Sequence, residues 1–169
     1  MKKLIGPFSQ ILTMENLPLS GSLSDDQLKI IRNGGVIIDG EKIIKTGYFN
    51  DLRKEVSDII EISSSKVLLP GFIDSHTHIC YSGDRSSEFS KRNSGVPYQK
   101  ILEEGGGIHN TMKATAEATD DELVNSTLSR LDRHFSEGVT TCEIKSGYGS
   151  TIENELRLLR IINKIKKIH

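Results

Sequence analysis

From Lys66 onward the hydrophobic pattern of the chain changes period repeatedly, and that alternation restricts the fold more than any other feature. Val67-Leu68-Leu69-Pro70-Gly71-Phe72-Ile73-Asp74 is a continuous apolar run, the pattern of a strand buried on both faces. Polar, glycine-rich sequence follows as far as Gly105-Gly106-Gly107. Thr119 and Glu122 then form a capping box, Val124, Leu128, Leu131 and Phe135 share one helical face, and Gly138 supplies the stop. Val139 to Lys145 reads as the next strand. Ser150 and Glu153 suggest a second capping box, ahead of a stripe of Leu158, Ile161, Ile162, Ile165 and Ile168. Strand, helix, strand, helix in this order predicts parallel βα units and an α/β fold.

The first 65 residues read differently. Leu4 to Met14 and Ile59 to Ile62 have strand character, and Asn16 to Gln27 is a polar loop. Gly34 to Ile44 contains two short apolar runs around Asp39-Gly40, which predicts a hairpin with that pair at its centre. Asp51 to Val56 is a short polar segment with helical character, and Ser63-Ser64-Ser65 is a turn. The expected division is a β-rich segment over 1–65 and βα units over 66–169.

Composition excludes several function classes. Lys plus Arg is 22 and Asp plus Glu is 23, so the net charge of -1 carries none of the basic excess of a nucleic-acid-binding protein. No apolar run approaches the roughly 20 residues of a membrane helix. Pro7, Ser9 and Gln10 interrupt any signal-like core behind the basic start. The two cysteines, Cys80 and Cys142, form no disulfide framework or zinc-ribbon pattern. The expected partner is a small molecule, with no nucleic acid and no membrane, in a reducing cytoplasmic setting.

The chemistry concentrates at the end of the first βα strand. Asp74, His76 and His78 are spaced two apart, and alternation along a strand turns all three to one side. Two imidazoles so placed reach one ion, of a kind that neutral imidazole suits. Asp74 fits either a ligand or a group that orients a ligand histidine. A His-x-His pair is common by chance, but this one follows an apolar strand and opens a polar loop, where βα barrels keep their active sites. On the second strand, Thr141, Glu143 and Lys145 share one face and Cys142 and Ile144 the other, which suits packing under helices. Glu143 and Lys145 fit an ion pair or a catalytic role equally well. Tyr148 lies just past the strand end, and Cys80 reads as a small residue near the site mouth rather than a nucleophile.

Leu69-Pro70-Gly71-Phe72-Ile73-Asp74-Ser75-His76-Thr77-His78 resembles the opening motif of the amidohydrolase superfamily. Gly83-Asp84-Arg85-Ser86-Ser87-Glu88-Phe89, Gly105-Gly106-Gly107-Ile108-His109-Asn110-Thr111 and Glu143-Ile144-Lys145-Ser146-Gly147-Tyr148-Gly149 together resemble the imidazolonepropionase family, over almost the whole chain. The resemblance implies a small β-sandwich domain ahead of a TIM-type (β/α)8 barrel. It implies hydrolysis of the ring amide of 4-imidazolone-5-propanoate to N-formimidoyl-L-glutamate, in histidine degradation. His76 and His78 become metal ligands for Zn or Fe, one ion per complete chain. Arg85 becomes the partner of the substrate carboxylate, with Tyr148 and Tyr98 as further substrate contacts. A homodimer is common in the family. His109 falls in a signature segment without an assigned role.

A βα barrel takes roughly 250 residues, so about two βα units are expected here. The family's third histidine ligand, aspartate ligand and acid-base group come from later strands. His134 and His169 match none of the motifs. The chain is therefore expected to be incomplete and poorly active alone. Two alternatives stand: another amidohydrolase, of deaminase or dihydroorotase type, and a non-catalytic module that kept the barrel start.

Overall fold

The long first strand, β1 (Lys2–Leu12), organises the N-terminal part of the chain. It pairs antiparallel with β2 (Ile30–Asp39), which pairs antiparallel with β3 (Lys42–Tyr48). On its other edge β1 takes two short parallel partners, β4 (Asp58–Glu61) beside its first half and β5 (Val67–Leu68) beside its second. The result is a five-stranded mixed sheet in the order β3-β2-β1-β4, with β5 also on β1. This computed structural model describes residues 1–168; His169 lies outside the described residues. It divides into two compact units that meet in sequence between Pro70 and Gly71.

Val36 and Ile37 show how the first unit is built. Adjacent strand residues point to opposite faces. Ile37 packs with Leu4, Phe49 and Leu52, the last two from α1 (Phe49–Leu52). Val36 packs on the other face with Phe8 and Ile11, flanked by Ile31, Ile38 and Leu68. That second face also borders an apolar recess lined by Ile43, Ile44, Leu69 and Pro70.

In the second unit, β6 (Phe72–Thr77) and β7 (Val139–Ile144) form a two-stranded parallel sheet. Between them run α2 (Ser86–Asn93), α3 (Tyr98–Glu103), α4 (Ile108–Glu117) and α5 (Asp120–Ser136); α6 (Ile152–Ile165) follows β7. The core joins Leu123, Val124 and Leu131 of α5 to Leu158, Ile161 and Ile165 of α6. Cys142 and Ile144 pack against it from β7, as their side of the strand requires. The Thr119 capping box is present: its hydroxyl accepts from the Glu122 amide and the Glu122 carboxylate accepts from the Thr119 amide.

Several expectations need correction. The apolar run 67–74 is not one buried strand. It breaks at Pro70-Gly71 into β5 and β6, which belong to different sheets, and Phe72 and Ile73 are 55% and 72% exposed because β6 has a single strand neighbour. The polar stretch before Thr119 holds three helices, not a loop; its glycines delimit the helices. The second N-cap is Thr151, which accepts from the Asn154 amide, while Ser150 adopts a positive φ and bonds the Gly149 carbonyl. Phe135 is exposed, and Leu123 takes its expected place in the core. Ile168 lies beyond the end of α6 and is exposed as well. The hairpin forms, but Asp39 pairs with Lys42, so Gly40 and Glu41 are its central residues. Only Gly40 has positive φ, the pattern of a turn with glycine at its first central position. The helix expected over 51–56 begins earlier, at Phe49.

Candidate metal and substrate site

The C-terminal end of β6 delivers the two histidines. Their ring centroids lie 5.3 Å apart, at an interplanar angle of 59°. His76 is exposed and His78 half-buried, while Thr77 between them turns inward and donates its hydroxyl to the Glu143 carbonyl at 2.7 Å. That bond ties the ends of β6 and β7 together, so strand alternation puts both imidazoles on the side away from the core. Asp74 uses its Oδ1 to accept the backbone N–H of His76 at 3.3 Å, which steadies the strand end.

The loop after β7 closes against this pair. The Tyr148 ring meets His78 edge-on, with centroids 5.9 Å apart. Gly147 makes that approach possible: a Cβ there would lie 2.9 Å from His78 Nδ1, and its φ is +153. Glu143 on β7 and Lys145 just past its end lie on the side opposite Cys142 and Ile144 and form an ion pair at 2.6 Å. The Lys145 ammonium beside it holds the Glu143 carboxyl below its usual value, with a smaller contribution from His76.

Two residues outside the motifs complete this cluster. The Tyr81 ring lies edge-on to Tyr148 at 5.7 Å, and the Arg130 guanidinium of α5 sits 3.7 Å from the Tyr81 ring centroid. Arg130 also donates to the Ile79 and Tyr81 carbonyls, at 2.8 and 2.9 Å. One cation on α5 therefore holds the stretch from His78 to Tyr81 by its backbone and by its ring.

A second cluster lies at the start of α2. Arg85 donates from Nε to Glu88 Oε2 at 2.7 Å. Arg85, Glu88, Phe89, Arg92 and Tyr98 line an open recess. The Arg92 guanidinium lies 5.8 Å from the centre of the Tyr98 ring. The Glu88 carboxylate is buried. Burial alone would raise its pKa, but the Arg85 guanidinium and the Gly107 amide, helped by Asn110, outweigh that and hold it below its usual value.

The five residues expected at the site thus fall into two groups, His76, His78 and Tyr148 in one and Arg85 and Tyr98 in the other. Among the described residues no three His, Cys, Asp or Glu side chains converge in a way that could hold an ion. Two imidazoles so placed suit two ligands of a metal, whose further ligands would have to come from outside the described residues. His109 is exposed on α4 and joins neither group. His134 lies on α5 with a buried, unpartnered Nδ1, beside Leu131 and Cys142. Cys80 needs correction: it is part of the hydrophobic core, and burial pushes its thiol pKa up. Sequence reasoning gave no role to Glu88, Arg130 or Tyr81. The Arg85–Glu88 spacing of three carried a signal, but only once residues 86–93 are known to be helical.

No protein-family model matches the chain. An imidazolonepropionase of Clostridium tetani is 39% identical over 176 residues, covering 100% of this chain and 42% of the relative. One from a Geobacillus species is 38% identical over 95% of this chain and 40% of its own length. The chain thus spans about two-fifths of the length of the curated relatives it matches. Among solved structures, a mutant atrazine chlorohydrolase from Arthrobacter aurescens, complexed with zinc and atraton, superposes with a TM-score of 0.54. It is 19% identical, over 96% of this chain and 33% of that one. A guanine deaminase from E. coli gives a TM-score of 0.50 at 14% identity, over 99% of this chain and 34% of its own. These structures share the fold.

Proposed function

We propose that this chain, which corresponds to an N-terminal portion of imidazolonepropionases, carries two metal-holding imidazoles and the carboxylate-binding end of a hydrolase site. The substrate is 4-imidazolone-5-propanoate, and the product of ring-amide hydrolysis is N-formimidoyl-L-glutamate. The observation that carries this reading is the His76–His78 pair, 5.3 Å apart at a parallel strand end, with Tyr148 closed against it.

His76 and His78 hold the metal, zinc or iron, together with ligands from outside the described residues. When bound, such an ion supplies a Lewis acid that acidifies water and polarises the ring carbonyl. The chain's own residues do the rest of the work at this end of the site. Arg85 takes the propanoate in a charge-assisted contact, which orients the ring. Tyr98 lines the same recess. Tyr148 covers His78 and offers a hydroxyl to the substrate. Gly147 fixes the place of Tyr148, and Arg130 with Tyr81 holds the loop beneath it.

Residues 66–169 are read as the first βα units of a (β/α)8 barrel and residues 1–65 as part of a β-sandwich. The apolar recess beside Val36, Ile43 and Leu68 supports the latter, since an inner sandwich face is apolar. A two-metal amidohydrolase would need a free lysine to bridge its ions. Lys145 is held by Glu143, which disfavours that alternative.

The test is hydrolysis of 4-imidazolone-5-propanoate by the chain joined to the remaining segment of the Clostridium tetani relative, loaded with zinc or iron. Metal-dependent turnover that is lost in His76→Ala supports the proposal. Turnover that survives His76→Ala refutes the assignment of the metal pair.

A further inference from the structure

Glu88 is the most deeply buried carboxylate side chain in any ion pair of the described residues, at 9% exposure, and no step above uses it. Burying a carboxylate is costly unless its charge and both oxygens are satisfied. Here both are. Oε2 accepts the Arg85 Nε–H at 2.7 Å, and Oε1 accepts the Gly107 N–H at 2.9 Å.

The glycine turn is shaped around this group. A Cβ on Gly106 would lie 3.1 Å from Glu88 Oε1 and 2.9 Å from the Ile101 carbonyl. Gly107 has a φ of +70, and a Cβ there would lie 3.0 Å from the Tyr98 hydroxyl. Tyr98 lines the same recess as Arg85. Arg85, Glu88, Tyr98 and the turn therefore form one connected unit.

We infer that Glu88 is a positioning residue, whose buried carboxylate fixes the Arg85 guanidinium for a ligand carboxylate and locks it to the glycine turn that opens α4. The inference rests on the reading of Arg85 given above. The Arg85 side chain is 41% exposed, and a free arginine at that exposure loses rotamer entropy when a ligand orders it. Glu88 orders it beforehand. By taking Nε, it leaves the two terminal nitrogens for the ligand. The Arg85–Glu88 pair is neutral overall, so Arg92 gives the recess its net positive charge. A single carboxylate matches that charge.

The test titrates two probes into the 169-residue chain by NMR, 3-(imidazol-4-yl)propanoate and its uncharged propanamide. The parent chain is expected to prefer the carboxylate by about tenfold, the value of one charge-assisted hydrogen bond. Glu88→Gln removes a negative charge from the recess, so charge alone would strengthen the preference; the preference is expected to fall instead, because Arg85 is no longer fixed, with propanamide binding unchanged and Glu88→Asp restoring part of the preference. Arg85 and Gly107 donate to different oxygens of Glu88, and glutamine puts an NH2 in place of one of them, so one donor would face another donor. If Glu88→Gln keeps the preference while Arg85→Ala loses it, the inference falls and the role of Arg85 stands. Equal weakening of both probes in Glu88→Gln shows a purely structural role and also overturns the inference. If Arg85→Ala keeps the preference, or the parent shows none, the reading of Arg85 itself falls. A second readout needs no variant: the Arg85 Nε–H and Gly107 amide resonances of the parent are expected to shift together as propanoate binds. Independent shifts contradict the inference.

Discussion

The Arg130 guanidinium lies 3.7 Å from the centre of the Tyr81 ring, and Nη1 of the same group bonds the carbonyls of Ile79 and Tyr81. This joins the middle of α5 to the loop that follows the histidine pair. Hydrogen bonds from a charged donor contribute about 1.5–3 kcal/mol, and a cation over an aromatic ring about 0.5–2 kcal/mol. Arg130→Ala is expected to destabilise the chain by about 2–4 kcal/mol in urea unfolding, since these interactions do not add fully. Arg130→Lys keeps the charge but loses the planar stack, and an intermediate loss is expected. A loss below about 0.5 kcal/mol for Arg130→Ala, the range of ordinary surface changes, shows that the loop stands without this anchor.

Gly107 occupies a left-handed backbone position with φ +70, and a Cβ there would collide with the Leu102 side chain. Gly107→Ala is expected to cost about 1–3 kcal/mol from the strained conformation alone. Gly95 has a φ of +87 with nothing within 4 Å of its would-be Cβ, so Gly95→Ala carries the backbone term without the collision. Thermal unfolding of the two variants separates the terms, with Gly107→Ala expected to melt lower.

The Glu88 carboxyl is held below its ordinary value of 4.5 in the folded chain. A carboxyl lowered on folding contributes stability that is complete above the unfolded value and is lost as pH falls through the folded one. The parent is therefore expected to lose more unfolding free energy than Glu88→Gln between about pH 6 and pH 3. The other carboxylates titrate in both proteins, so the difference isolates Glu88. Parallel curves for the two contradict the assignment.

Cys80 is 1% exposed in the core, and burial raises its thiol pKa; Cys142 is half-buried on β7. The thiolate is the reactive form. Iodoacetamide is expected to label Cys142 in the native chain and to reach Cys80 only in denaturant, as peptide mass mapping would show. Native labelling of Cys80 first contradicts this packing.

The parts of the fold legible in sequence are those governed by local rules. The Thr119–Glu122 box and Gly138 bounded α5 within a residue, because caps are set by near neighbours. The histidine pair was placed by strand alternation alone, and Glu143 and Lys145 by the same rule. What escaped depended on partners distant in sequence. Val67–Asp74 looked like one buried strand because its composition is uniform, yet Leu68 pairs with Ile11 and Phe72 with Val139, so its two ends belong to different sheets. The polar, glycine-rich stretch up to Gly107 hides α2 and α3, and α4 after it, because these helices are short and polar, with few apolar positions to show a period. Glu88 and Arg130 act through contacts 19 and about 50 positions away, which no local pattern encodes.

Zinc titration of the 169-residue chain, followed through its imidazole resonances, tests the proposed metal pair most directly. His76 and His78 are expected to shift together, while His109 and His134 stay in place, and His76→Ala is expected to remove the response of His78. A response centred on His109 or His134, or none at His76 and His78, contradicts the account.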